Sequence, residues 1–340
     1  MTHTSLADQT MEDRVGLGTY VLSAAEVEQV ALVVDQFRQR VSTVDRPETV
    51  TVAHLLHGLL PEGLLRAIED FRRYGNAHGV LTVRNLPLPG DLPPTPRSAN
   101  SVAVDCTPSA ALLLLLMSRM GDPISYVEEK HGSLIHDICP IPGEEDQQQN
   151  TGAVYFKLHT ENAFHASRPD FLGLLCLRPD HERRASSITS SITEAVRLLS
   201  PEDEAVLREP RFRTRLAPSF CRGQAHRPYL APTPVLAGSA SFPLLTVDFD
   251  DTAPGDPQSA AALDALHEAL QAVRREAILV QGDLAIIDNS TTVHGRGEFT
   301  PRYDGADRWL QRLFVVRSLR SSLDLLDRAD GYRCRALAVP

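Results

Sequence analysis

Beyond about residue 125 the chain stops repeating on the scale of a helix. Short apolar runs follow one another, each closed by Gly, Pro, Asp or Asn: "LIHDICPIPG", "AVYFKLHTENAF", "FLGLLCLRP", "FPLLTVDFDD", "DLAIIDNSTTVHG" and "WLQRLFVVRSL". Runs this short and this regularly punctuated read as strands. A series of them has to close on itself as a sandwich or barrel, such as a jelly roll. Two helices interrupt the series, "SPEDEAVLRE" and "SAAALDALHEALQAVRREAILV".

The first third reads differently. "LSAAEVEQVALVVDQFRQRV" has a capping box at Ser23 and Glu26, with Val27, Val30, Ala31 and Val34 at helical spacing. "PEGLLRAIEDFRRYGNAHG" is a second helix closed by a Gly/Asn turn, and "GVLTVRNLPLP" a β-branched strand before a proline-rich loop. "TPSAALLLLLMSRMGDP" is helical and apolar nearly all round, so it is expected to be buried. The pattern predicts a mainly β fold, a double-stranded β-helix (jelly-roll) core flanked by helices. Residues 1–15 are expected to be disordered, and 16–340 to form one domain whose helical part spans 16–120.

Composition narrows the function. The chain has 340 residues, 42% hydrophobic, ample for a sizeable core. A formal charge of −10 and only 6% aromatics argue against nucleic-acid binding. The five cysteines are odd in number and form no CxxC pair, which argues against a disulfide framework or structural zinc and fits a reducing cytoplasm. The N-terminus lacks the basic and apolar regions of a signal peptide, and the apolar run "SAALLLLLMS" is too short for a membrane span. The expected setting is cytoplasmic, with neither membrane nor nucleic-acid partner; nothing in the sequence speaks to oligomeric state.

Within "KLHTENAFH", His159 and Glu161 stand two residues apart and share a face if the segment is a strand. An HxE pair alone is most often a surface ion pair or a core histidine. His294 supplies a third ligand, beside Gly295 and Gly297, and two histidines with one carboxylate form the facial set of non-heme Fe(II) oxygenases. Arg308 follows fourteen residues later and Arg312 four beyond that. On a strand both face one side, and buried arginines need anionic partners such as small carboxylate ligands.

These blocks resemble the clavaminate-synthase-like Fe(II)/2-oxoglutarate oxygenases that hydroxylate free L-amino acids for peptide natural products. The resemblance runs from about residue 80 to 330, through "LPPTPR", "GDP", "EEKHGSLIHDICPIPG", "HTENAFHASRPDFLGLLCLR", "IDNSTTVHGRGEFTPRYDGADRWLQR" and "ADGY". It implies Fe(II), 2-oxoglutarate and O2 as cofactor and co-substrates, with succinate and CO2 as co-products. By resemblance, His159, Glu161 and His294 are the iron ligands. Arg308 holds the distal carboxylate of 2-oxoglutarate, assisted by the Thr189 hydroxyl. Arg312 grips the α-carboxylate of the amino acid, Glu129 and Asn150 its amino group, and Asp248 reaches its side chain. Residues 217–240, with Ser219 and Phe220, match a lid.

The substrate turns on "TVDFDD". Asp248 and Asp250 at i, i+2 would present two carboxylates from one strand face, as the arginine-acting members do, and two carboxylates are satisfied by a cationic side chain. The arginine-acting members carry a further lid aspartate where this chain has Ser219, so the expected order is lysine, then arginine. If Asp250 instead caps a turn, L-asparagine 3-hydroxylation is the alternative. Desaturation or cyclisation on the same iron site, action on a carrier-bound residue, and a non-catalytic jelly-roll binder are the other readings. His131, His136 and His165 read as structural, Asp304 as a turn former and Trp309 as core.

Overall fold

The computed structural model describes residues 18–221, 226–327 and 329–336. The stretch 1–15, expected to be disordered, lies outside them. Sixteen strands (β1–β16) and seven α-helices (α1–α7) occur among the described residues.

Helix α1 (Ala24–Arg40) starts where the sequence placed it: the Ser23 side chain accepts from the Glu26 N–H, and Glu26 returns the bond to the Ser23 N–H. Helix α2 (Pro47–Leu56) was not foreseen. Its Thr-Val-Thr-Val stretch reads as strand, but Pro47 opens the first turn and burial of Thr49, Ala53 and Leu56 decides the outcome. Helix α3 (Glu62–Tyr74) ends at Gly75, φ 61°, a left-handed position suited to glycine. Helix α4 (Pro108–Met117) is buried from Ser109 to Met117, as its unbroken apolar surface requires.

The larger sheet runs β1 (Thr19–Val21), β2 (Val80–Arg84), β13 (Leu284–Asp288), β6 (Phe171–Arg178), β15 (Trp309–Val316), β3 (Asp122–Tyr126) and β16 (Arg333–Cys334), with β4 (Ile135–Ile138) also paired to β15. The smaller sheet runs β12 (Arg275–Ala277), β7 (Ser187–Ser191), β14 (Thr292–Arg296) and β5 (Phe156–His159). Two hairpin-like pairs complete the set, β8 (Phe212–Thr214) with β11 (Thr252–Pro254) and β9 (Leu236–Ser239) with β10 (Phe242–Leu245). Helices α1–α4 bury their apolar residues with Leu81, Val83, Leu175 and Leu313 of the larger sheet. Helices α5 (Ile192–Ala195), α6 (Pro201–Leu207) and α7 (Pro257–Ala272) share a second core with Leu158, Ile188 and Val293 of the smaller one. The inner faces meet around a cavity lined from both sheets. This is the jelly roll with flanking helices expected from the sequence.

Three expectations need correction. The helix expected across 259–280 ends at Ala272; Arg275–Ala277 instead pairs antiparallel with β7 and extends the smaller sheet. "DLAIIDNSTTVHG" is two strands rather than one, β13 in the larger sheet and β14 in the smaller. His294 therefore lies inside a strand, β14. "TVDFDD" lies beyond the end of β10 and turns at Asp248.

Candidate active site

His159 is the last residue of β5, and the antiparallel register sets it directly opposite His294 of β14. The two ring centroids are 4.3 Å apart. Glu161 is past the end of β5, in a turn rather than on the strand face. Its backbone is held by Asn289, whose Oδ1 accepts from the Glu161 N–H at 2.8 Å while its Nδ2 donates to the Glu161 carbonyl at 3.1 Å. Asn289 is fully buried in the crossover between β13 and β14, and sequence reasoning missed it. A ligand atom from each of His159, Glu161 and His294 lies within 4.8 Å of the others. His294 Nε2 is 3.4 Å from Glu161 Oε2.

The protonation states suit a divalent cation. His159 Nδ1–H donates to the Lys157 carbonyl at 2.9 Å, which leaves Nε2 as the lone-pair nitrogen. Burial, then the nearby His159, pushes His294 down to about 4, so it is neutral at pH 7. Burial opposes ionisation of Glu161, but the Arg312 guanidinium and then His294 outweigh it and hold the carboxyl well below the usual range. Two imidazoles and one carboxylate make up the donor set suited to iron(II).

Arg312 stands behind this set. Its Nη1 donates to Glu161 Oε1 at 3.0 Å, its Nη2 to His136 Nδ1 at 3.1 Å, and it lies 3.8 Å from Glu129 Oε1. Its Nε is buried with no partner among the described residues. His136 is therefore more than packing: it sits opposite Arg312 in the β4–β15 register, a contact between strands remote in sequence. Burial, then the Arg312 charge, keeps His136 well below its ordinary value, and so neutral and able to accept.

Arg308 immediately precedes β15 and is buried. It lines the inner cavity with Arg296, Ser187, Leu310, Arg312 and the metal set. No carboxylate among the described residues pairs with it. Thr189 is placed across from His294 in β7 and does not line this cavity; Ser187, two residues earlier on the same strand, does.

A second cavity of about 280 Å³ opens over the metal set and is lined by Glu129, Asn150, Asp248, Asp250, Ser219 and Arg312 among others. Burial, only partly offset by Arg312, pushes Glu129 up to about 7. Asp248 and Asp250 do not form a matched pair on a strand. Asp248 Oδ1 accepts from the N–H groups of Asp250 at 2.8 Å and Asp251 at 3.2 Å, closing a turn. Asp250 is ion-paired with Lys157 at 2.7 Å. Phe220 is not at the cavity either: it is buried against Phe164 and Tyr126. Residues 222–225 of the expected lid lie outside the described residues; its flank is tied down by Arg227, which donates to the Leu216 carbonyl at 2.9 Å and pairs with Asp251. His165 accepts from the Ser167 N–H and meets Tyr126 edge-on, Asp304 caps a turn at Ala306, and Trp309 is core, all as read from sequence.

Residues 60–314 match the family described as taurine catabolism dioxygenase TauD, TfdA family. The chain belongs to that family. It is 43% identical to the L-asparagine oxygenase of Streptomyces coelicolor, over 87% of this chain and 88% of that one. It is 32% identical to an L-lysine 3-hydroxylase of Catenulispora acidiphila, over 86% of this chain and 83% of that one. Among solved structures, asparagine oxygenase in complex with Fe(II), 2S,3S-3-hydroxyasparagine and succinate superposes with a TM-score of 0.90 at 41% identity, covering 94% of this chain and all of that one. The chain is thus a TauD-type enzyme of the iron- and 2-oxoglutarate-dependent amino-acid hydroxylases, and its His–Glu–His set is a group that could hold the iron.

Proposed function

We propose that this oxygenase hydroxylates a free L-amino acid with a short, neutral, polar side chain, asparagine before lysine or arginine. The observation that carries the reading is the Lys157–Asp250 ion pair at 2.7 Å. It neutralises the second of the two carboxylates on which a cationic substrate would depend. Asp248 is left, with one oxygen committed to its own turn. A single remaining acceptor suits one carboxamide N–H.

Reach supports the same reading. Asp248 and His159 form an isolated antiparallel bridge, so their Cα atoms are about 5 Å apart. A side chain running from a carbon beside the metal set to Asp248 is therefore short. On this reading Arg312 takes the α-carboxylate, for which its unpartnered Nε is the supporting observation, and ionised Glu129 with Asn150 takes the ammonium. The zwitterion is gripped at both charges, which fixes the carbon presented to the metal set. Iron(II), when bound by His159, Glu161 and His294 with 2-oxoglutarate and O2, supplies the oxidising chemistry that ends in hydroxyamino acid, succinate and CO2. The chain's own part is orientation and exclusion of water.

One observation favours a basic amino acid: the cavity rim also carries Glu128 and Glu144. Mass spectrometry of each free L-amino acid incubated with protein, Fe(II), 2-oxoglutarate and ascorbate in air separates the readings. One added oxygen on asparagine, matched by succinate, is expected. Oxygen added only to lysine or arginine would overturn the choice. Loss of two hydrogens would mean desaturation, and succinate without any altered amino acid a carrier-bound substrate.

A further inference from the structure

Arg296 lies two residues after His294 on β14, so it shares that ligand's face of the strand. It is buried and lines the same inner cavity as Arg308. Its Nη2 donates to the Val154 carbonyl at 3.1 Å and its Nη1, at a long 3.5 Å, to the Asn150 carbonyl. Its Nε has no partner among the described residues. The rings of Phe156 and Phe299 flank it at 5.8 and 5.2 Å. Every described partner is therefore neutral. Arg308 likewise pairs with no carboxylate among the described residues, and the one carboxylate lining the cavity, Glu161, is already held by Arg312, so two buried guanidiniums there have no anionic partner.

A buried charge without a counter-charge is costly, and a small cavity holding two of them is complementary to a ligand carrying two negative charges. The register adds a hydroxyl, since Ser187 is paired directly with Arg296 across β7 and β14. A purely mechanical role, fastening the loop with Asn150 and Val154 onto β14, accounts for the two carbonyl contacts. It does not account for a guanidinium there, because a neutral donor would serve.

We propose that Arg296 is a second cationic residue of the co-substrate cavity and that, with Arg308, it selects a dicarboxylate over a monocarboxylate 2-oxo acid. The proposal rests on Arg308 lying in the co-substrate site. The test is anaerobic isothermal titration of the Fe(II)-loaded protein with 2-oxoglutarate and, separately, with pyruvate, which lacks the distal carboxylate. Arg296→Gln is expected to weaken 2-oxoglutarate about tenfold, roughly 1.4 kcal/mol, and pyruvate less than about twofold. Arg296→Lys, which keeps the charge, is expected to retain most of the preference and serves if the Gln variant does not fold. Equal losses for both acids in Arg296→Gln, or a loss in Arg296→Lys as large as in Arg296→Gln, would overturn the charge role and leave the fastening one. Arg308→Gln is the separate control. If it leaves 2-oxoglutarate binding intact, the assignment of the cavity itself fails, and the proposal with it.

Discussion

The two oxygens of Glu161 face different partners, Oε1 the Arg312 guanidinium and Oε2 the His294 ring. One carboxylate thus joins the metal set to the residue read as the substrate's carboxylate grip. Glu161→Gln keeps a group that can accept from Arg312 but removes the ligand charge. It should abolish iron-dependent succinate formation while shifting the thermal midpoint little. His159→Ala should do the same, and wild-type turnover in either variant would sink the ligand assignment. Glu129 sets a pH dependence. Burial raises its carboxyl to about 7 in the ligand-free cavity, so below that pH it is protonated and a poor partner for an ammonium. Amino-acid affinity should therefore rise from pH 6 to 8 and then level, and Glu129→Gln should bind weakly with no such rise. Titrating the amino acid into the anaerobic, 2-oxoglutarate-loaded protein across that range is the check. The sign for stability is opposite. The protonated form favours the ligand-free fold, in a contribution complete below the ordinary 4.5 and lost as pH climbs through about 7.

At the scale of elements, the site depends on how closely β5 and β14 approach. A Cβ at Gly295 would lie 2.5 Å from the Phe156 carbonyl oxygen, a backbone atom that can move only if the strands part. Gly295→Ala should therefore separate His159 from His294 and lower turnover by about 100-fold, the scale expected for a displacement of about 1 Å. Gly58→Ala, where a Cβ meets nothing within 4 Å, is the control and should leave activity unchanged. The same scale explains what could be read from sequence. Helices α1 and α3 were legible because their signals, a capping box and a terminal glycine, are local. The HxE pair is a local signal too, and the fold does bring His159, Glu161 and His294 together, although Glu161 is in a turn and His294 inside a strand. The Arg312–His136 contact, the Asn289 clasp on Glu161 and the Lys157–Asp250 pair join residues 93 to 176 positions apart, and no spacing rule reaches that far. The strand expected through Asp248 and Asp250 fails for a local reason: the Asp248 carboxylate accepts from the N–H groups two and three residues on, which competes with strand pairing, as aspartates readily do.

At the scale of the whole molecule, its two largest apolar cores flank a charged interior. One core lies between the larger sheet and α1–α4, the other beneath α5–α7, and between them Arg296, Arg308, Arg312, Glu129 and Glu161 face common space. Among the described residues no helix is long and apolar enough to cross a membrane. In the inner cavity Arg296, Arg308 and Arg312 face one carboxylate, Glu161, so the ligand-free fold holds positive charge there that a dicarboxylate would neutralise. A divalent cation at His159, Glu161 and His294 adds positive charge to the same space and strengthens that preference. Binding of cation and dicarboxylate should therefore be cooperative, and each should stabilise the fold by mass action, about 2.7 kcal/mol at 100 times its dissociation constant. Thermal unfolding under anaerobic conditions, with neither ligand, Fe(II) alone, 2-oxoglutarate alone and both, measures this. The shift with both is expected to exceed the sum of the separate shifts. His159→Ala should remove the iron shift and the cooperative excess. Arg308→Gln should keep the iron shift and lose only the part that 2-oxoglutarate adds. Strictly additive shifts in the wild-type protein would mean that the two ligands do not share one electrostatic site, and that the unpaired arginines serve the fold rather than the co-substrate.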